Sequence, residues 1–167
     1  MKLVIFRHGP AGNREEWEAE GRDDRERPLT PKGKKEVRKA AAGLALLVPQ
    51  LDVVATSPLV RAAQTAKIVA AEYGPEIEGL EALEPERDPL EILPWLEAHD
   101  SAQTVAVVGH EPHLSTLTCY LLTGTKSSFI ELKKGGACLL ELPQPSRPGS
   151  AVLEWLLTDR ELRRLGE

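Results

Sequence analysis

Three short apolar runs constrain the fold of this chain most strongly. Each is followed by a turn and by a segment of helical periodicity. They span residues 3–6, 51–55 and 104–108 and are rich in valine, isoleucine and leucine. Continuous apolar runs of this length are typical of strands buried on both faces of a sheet. Strands that alternate with helices favour a largely parallel sheet covered by helices on both sides. We therefore predict an α/β fold, a three-layer α/β/α sandwich with a mostly parallel central sheet.

The helices between these runs have recognisable ends. Thr30 is a residue type that caps helix N-termini, and Pro31 suits the first helical position. Pro49 ends this helix, because proline cannot continue the hydrogen-bond pattern. A second helix is predicted over residues 59–73, which places Arg61 in its first turn.

The second half of the chain changes character after residue 122. Alternating or continuous apolar runs around a Lys-Lys-Gly-Gly turn at 133–136 indicate a hairpin, which would form an antiparallel edge of the sheet. The remaining predicted elements are strands over 76–80, 129–132, 137–142 and 152–157, and helices from Asp88 (kinked at Pro94), over 114–122 and over 158–165.

Length and composition narrow the classes of function. The 167 residues predict a single domain, 1–167, with a sizeable core. A net charge of -5 and an aromatic content of 4% argue against a nucleic-acid or membrane partner. Cys119 and Cys138 lack the spacing of a metal site or a disulfide framework, and we expect two buried thiols. Met1 and Lys2 run straight into the first strand without a signal peptide, so we expect a cytoplasmic location.

Polar residues follow the end of each apolar run. Arg7 and His8 come directly after the first, Arg61 lies in the helix after the second, and His110 follows the third. Parallel strands open their carboxyl ends on the same side, where α/β sheets bind ligands, so we expect these four side chains to converge. Two arginines, two histidines and inward-pointing helix N-termini suit a phosphoryl group.

These side chains could carry out phosphoryl transfer. Arginines would hold the nonbridging oxygens in bidentate geometry. One neutral imidazole would attack phosphorus and become a phosphohistidine intermediate, while the other, when protonated, would stabilise the transition state. Residue types alone also allow structural roles: a strand-end histidine held by hydrogen bonds, or a helix arginine in a surface ion pair.

Four segments resemble the motifs of the histidine phosphatase superfamily. Arg7-His8-Gly9 after an apolar strand is similar to its RHG signature, and the order and spacing of all four segments agree with the family. The other three segments are Leu29-Thr30-Pro31-Lys32-Gly33, the run from Thr56 to Ala66, and Val107-Val108-Gly109-His110-Glu111-Pro112.

The resemblance implies a single histidine phosphatase domain with the phosphoglycerate-mutase-like fold. By this resemblance His8 is the phosphorylated nucleophile, and Arg7, Arg61 and His110 complete the phosphate pocket. The family needs no metal or other cofactor. The nucleophilic ring is usually oriented by a hydrogen bond from its other nitrogen to a main-chain carbonyl.

The short chain and its RHGxA start resemble the SixA-type branch, phosphohistidine phosphatases that act on histidine phosphotransfer domains. The implied partner is a phosphorylated protein. Larger branches carry an acidic proton donor between the second arginine and the second histidine. Glu81 and Glu84 lie in that interval, and either could be a general acid or simply a surface carboxylate. A phosphohistidine leaves as a good leaving group and has less need of such an acid.

Two other functions remain open from the sequence. The first is a phosphatase for phosphoserine, phosphothreonine or a small phosphorylated metabolite, with Glu81 or Glu84 as the acid. The second is a non-catalytic module that binds a phosphorylated ligand. The charged segment 11–28 is interpreted either as a lid over the site or as a solvated loop with a short helix at 15–20.

Overall fold

Six strands form one sheet in this computed structural model, which describes residues Met1–Glu167. The strands are, in chain order, β1 (Lys2–Arg7), β2 (Val53–Thr56), β3 (Glu76–Gly79), β4 (Thr104–Gly109), β5 (Ala137–Glu141) and β6 (Val152–Leu157). Their order across the sheet is β3-β2-β4-β1-β5-β6. The first four pair in parallel, and β5 is antiparallel to both β1 and β6. The predicted mostly parallel sheet with an antiparallel edge is confirmed.

Six α-helices connect and cover the strands. They are α1 (Arg14–Ala19), α2 (Pro31–Leu47), α3 (Val60–Ala71), α4 (Leu93–Ala98), α5 (His113–Thr123) and α6 (Asp159–Leu165). Thr30 caps α2 as predicted: its hydroxyl oxygen accepts a hydrogen bond from the Gly33 N–H at 2.9 Å, and Pro31 is the first helical residue. None of the helices combines the length and apolar character needed to cross a membrane.

Two hydrophobic clusters lie on opposite faces of the sheet. Side chains of β1 alternate between them: Val4 and Phe6 pack towards α2, α3 and α6, whereas Leu3 and Ile5 pack towards α4 and α5. All four are fully buried. The α/β/α layering expected from the sequence is therefore present, and it fixes β1 and β4 at the centre of the molecule.

The predicted strand over residues 129–132 is wrong. This segment is irregular, with Phe129 72% exposed and Leu132 fully buried. A strand needs a free partner, and both sides of β1 and of β5, the strand that follows this segment, are already paired. The open edges of the sheet lie elsewhere, at β3 and β6. The segment instead covers one face of the sheet, where Leu132 joins the core.

The predicted kinked helix from Asp88 is also corrected. Residues Pro89–Ile92 form a 3-10 turn that Asp88 caps, and α4 begins only at Leu93. Pro94 therefore lies in the first turn of α4, where its missing N–H costs nothing and no kink results.

The two cysteines are free and buried, as predicted. Burial raises the pKa of the Cys138 thiol to about 12. Cys138 packs on the α4 and α5 face of the sheet as an ordinary core residue.

Candidate active site

The carboxyl ends of the central strands open into a cleft of about 830 Å³. All four side chains expected to converge line it: Arg7, His8, Arg61 and His110. The register explains this convergence, because Arg7 at the end of β1 pairs with Gly109 at the end of β4, directly before His110. Arg61 enters from the first turn of α3.

His8 is held in one tautomer by its own neighbour. Its Nδ1 lies 2.7 Å from the Gly9 carbonyl oxygen. A carbonyl can only accept a hydrogen bond, so Nδ1 carries the proton and Nε2 carries the lone pair. Burial, assisted by the nearby charges of Arg61 and Arg7, lowers the pKa of His8 to about 3. The imidazole is therefore neutral at physiological pH, with Nε2 unprotonated.

Gly9 is the bend that lets consecutive residues of the chain reach one cleft. Its N–H donates to Thr65 Oγ1 at 3.1 Å, which ties the turn after β1 to α3. A side chain here has no space, since a Cβ would lie 2.3 Å from Val37 Cγ2. On the other side of the bend, Arg7 donates through Nη1 to the Leu132 carbonyl at 2.7 Å.

His110 lies beside His8, with the two ring centroids 5.1 Å apart. Its Nε2 is 2.8 Å from Ser57 Oγ, while its Nδ1 is buried without a partner. Burial, assisted by the charge of Arg61, lowers the pKa of His110 to about 2. Nδ1 is shielded from solvent, and an unpaired buried nitrogen is costly.

Arg61 is buried and bonded to the loop that precedes α2. It donates to the Asp24 carbonyl at 2.9 Å and to the Asp24 carboxylate at 3.2 Å. The same carboxylate accepts from Arg27 Nε at 2.8 Å. Burial opposes ionisation of Asp24, but the hydrogen bond from Arg27 and the charge of Arg61 together lower its pKa. A carboxylate therefore occupies one side of the Arg61 guanidinium.

The two glutamates named as candidate acids differ in position. Glu84 lines the cleft, where Arg25 bonds both of its oxygens and lowers its pKa. Glu81 does not line the cleft: its side chain is 76% exposed and is bonded to Arg87. The structure thus brings Glu84, but not Glu81, to the site.

The segment 11–28 forms one wall of the cleft. Its interior carries α1 and a short 3-10 turn at Asp24–Glu26, and both ends contribute lining residues. Trp17 donates through Nε1 to the Asp23 carbonyl and so ties α1 to that 3-10 turn. The loop therefore belongs to the site.

Sequence reasoning missed four residues that shape the cleft. They come from three different loops and are Ser57, Asp24, Arg27 and Lys134. Only Ser57 lies inside one of the four family motifs, the run from Thr56 to Ala66. The Lys-Lys-Gly-Gly turn was a signal for Lys134, since it lies next to β1 once β5 pairs there. No group of three or more His, Cys, Asp or Glu side chains is arranged to hold a metal ion.

Comparison with known proteins gives relatives over almost the whole chain. The family model described as histidine phosphatase superfamily (branch 1) matches residues 3–88. An uncharacterised protein of Picosynechococcus sp. (strain PCC 7002) is 35% identical over 165 residues, covering 97% of this chain and 93% of the relative.

Solved structures show the same architecture. The protein histidine phosphatase SixA complexed with tungstate matches with a TM-score of 0.82 and 25% identity, over 97% of this chain and 99% of that one. Phosphoserine phosphatase of Entamoeba histolytica in complex with 3-phosphoglyceric acid matches with a TM-score of 0.68 and 17% identity, over 96% and 98%. The second likeness shows the fold alone. Together with the four convergent motifs, the matches show that this chain belongs to the histidine phosphatase superfamily (branch 1).

Proposed function

We propose that this protein is a phosphohistidine phosphatase of the SixA type. His8 takes the phosphoryl group from a phosphohistidine side chain of a partner protein and then passes it to water. One observation carries the proposal: a buried, neutral His8 with an unprotonated Nε2 lies beside His110 in a cleft with several cations.

The cleft supplies the groups that a phosphoryl dianion requires. Arg7 and Arg61 donate to its nonbridging oxygens, and His110 lines the same cleft beside His8. A bound dianion raises the pKa of His110, so that the imidazole becomes a charged donor in the loaded site. The structurally similar SixA was solved with tungstate, which is a tetrahedral oxyanion like phosphate.

The first step transfers the phosphoryl group to the enzyme. The lone pair on His8 Nε2 forms a bond to phosphorus while the substrate's N–P bond breaks. The electron pair of that bond returns to the substrate nitrogen. A phosphohistidine protonated on its other ring nitrogen leaves as a neutral imidazole, so no enzyme acid is needed.

The second step releases phosphate. A water oxygen attacks phosphorus, the N–P bond to His8 breaks, and its electron pair returns to Nε2. The proton that water loses ends on the phosphate product or in solvent. The hydrogen bond from Nδ1 to the Gly9 carbonyl is kept throughout and holds the ring in place for the next turnover.

The state of the glutamates supports a phosphoramidate substrate over an ester. An ester leaves as an alkoxide and benefits from a carboxylic acid near neutral pH. Glu84 is ionised and bonded to Arg25, which lowers its pKa, and Glu81 lies outside the cleft. Neither carboxyl is suited to protonate a leaving alkoxide.

Release of phosphate from a phosphorylated histidine phosphotransfer domain tests the proposal. In His8→Ala the rate should fall at least about a thousandfold, because no nucleophile remains. A base quench of the wild-type reaction should trap a phosphoenzyme that is stable to alkali and labile to acid. Glu81→Gln is the matched control and should turn over like the wild type.

Three outcomes would contradict the proposal. Full turnover by His8→Ala would exclude the covalent mechanism. Faster hydrolysis of phosphoserine or sugar phosphates, lost in Glu84→Gln, would indicate an ester phosphatase. Tight phosphate binding with neither a burst nor turnover on any substrate would indicate a binding module.

A further inference from the structure

The turn at residues 133–136 is bonded directly to the residues that form the site. The Gly135 N–H donates to two carbonyl oxygens, those of Arg7 at 3.2 Å and His8 at 3.1 Å. Gly135 has a φ of 72°, in the left-handed region that glycine adopts without strain. The backbone of the preceding residue, Lys134, is therefore fixed beside the proposed nucleophile.

The Lys134 side chain lines the cleft together with His8. It bonds no carboxylate, whereas the neighbouring Lys133 pairs with Glu131 at 2.8 Å. Partial burial lowers the pKa of Lys134, and the positive charge of Arg7 lowers it further. The ammonium thus lies close enough to the other cations of the site to be repelled by them.

Most cations of the cleft are already compensated. Six line it: Arg7, Arg14, Arg25, Arg27, Arg61 and Lys134. Four of these bond a carboxylate, and Asp24 is a partner of three of the four. Arg7 and Lys134 are the two that bond none. Two cations without an ion-pair partner are free to bind a phosphoryl group, which carries close to two negative charges at neutral pH.

We infer that Lys134 binds the phosphoryl group of the substrate, as the second cation of the site that forms no ion pair. The inference rests on the proposed function and adds a ligand that the motifs of this chain do not include. A lysine is suited to this position, because its flexible stem lets the charge follow the phosphoryl group from the free substrate to the enzyme-bound intermediate. The fixed backbone ensures that the stem always starts from the same point beside His8.

Inorganic phosphate binding to Lys134→Met, measured by isothermal titration calorimetry, tests the inference without any turnover. One charge-assisted hydrogen bond at a partly exposed position predicts about tenfold weaker binding. Lys134→Arg keeps the charge and should retain most of the affinity. Lys133→Met is the matched control, since that side chain bonds Glu131, and its affinity should equal that of the wild type.

Turnover adds a second readout. An aryl phosphate and a phosphorylated histidine domain share only the phosphoryl group, so kcat/KM should fall about tenfold for both in Lys134→Met. Unchanged phosphate affinity, or a loss confined to the protein substrate, would overturn the inference. Equal thermal unfolding of the two methionine variants and the wild type shows that the fold is intact.

Failure of the proposed function would look different. Wild-type protein would then release no phosphate from the histidine domain, while the phosphate titrations of Lys134→Met and Lys133→Met would still differ. The two results therefore separate the role of Lys134 from the identity of the substrate.

Discussion

Replacement of His8 by glutamine should make the protein less sensitive to mild acid. His8 is 6% exposed, and its pKa falls from 6.5 in the unfolded chain to about 3 in the folded protein. Between these two values the unfolded chain binds a proton that the folded protein does not. The contribution of His8 to the free energy of unfolding is therefore fully present above pH 6.5 and is lost as the pH falls below this value.

The magnitude at pH 5 does not depend on how far below 5 the folded pKa lies. For each pH unit below 6.5, protonation of the imidazole stabilises the unfolded chain by about 1.36 kcal/mol. At pH 5, His8 therefore lowers the free energy of unfolding by about 2 kcal/mol. His110, with a pKa of about 2, lies in the same regime and should cost about the same. In a variant that lacks both histidines, both of these losses of stability at pH 5 should be absent, about 4 kcal/mol in total.

Urea unfolding measures this directly. The free energy of unfolding is determined for the wild type, His8→Gln and His110→Gln near pH 7.5 and near pH 5. Each substitution also has a constant effect on stability, which cancels when the two pH values are compared within one variant. The fall in stability between them should be smaller by about 2 kcal/mol in each single variant than in the wild type.

An identical pH dependence in His8→Gln and the wild type would refute the reasoning. It would mean that the folded protein binds a proton on His8 at pH 5. Burial would then not be enough to keep Nε2 unprotonated, and the proposed nucleophile would be blocked in mild acid.

Two further substitutions test the surroundings of the proposed phosphate ligands. Asp24→Asn removes the carboxylate bonded to Arg61, so phosphate should bind about three- to tenfold more tightly in calorimetry. This gain in affinity should shrink as salt is added. Weaker binding would show that Asp24 positions Arg61 instead of competing with phosphate for it. Ser57→Ala leaves Nε2 of His110 without its partner at 2.8 Å, so kcat should fall about tenfold. Ser57→Thr keeps a hydroxyl and should keep most of the rate. Equal rates for the two variants would show that this hydrogen bond does not position the His110 ring.

Local patterns predicted the parts of the fold that depend on local physics. The run at 104–108 is apolar from Val105 onwards, and every residue of β4 is buried. Thr30 and Pro31 marked the start of α2 because capping depends on a few adjacent residues. Arg61 was placed correctly in the first turn of α3, since a strand end and a helix start bracket it.

Long-range pairing explains what could not be predicted. Residues 129–132 have the composition of a strand, but both sides of β1 and of β5 are already paired with other strands. Asp24 and Lys134 reach the cleft only because their loops fold back over the ends of the strands. Nothing in the immediate sequence of Asp24 distinguishes it from the many other charged residues of the chain, and the turn around Lys134 is informative only once the pairing of β5 with β1 is known.

The central position of β1 has a consequence for synthesis of the chain. Lys2 pairs with Thr104 on one side and with Glu141 on the other, so β1 cannot complete its pairing until β4 and β5 have been synthesised. Such distant pairings slow folding, and until they form the apolar run at 3–6 has no partner strand. Nascent or truncated chains that end before β5 would carry Arg7 and His8 without the turn that holds them. Synthesis through β5 therefore has to precede any activity of the site.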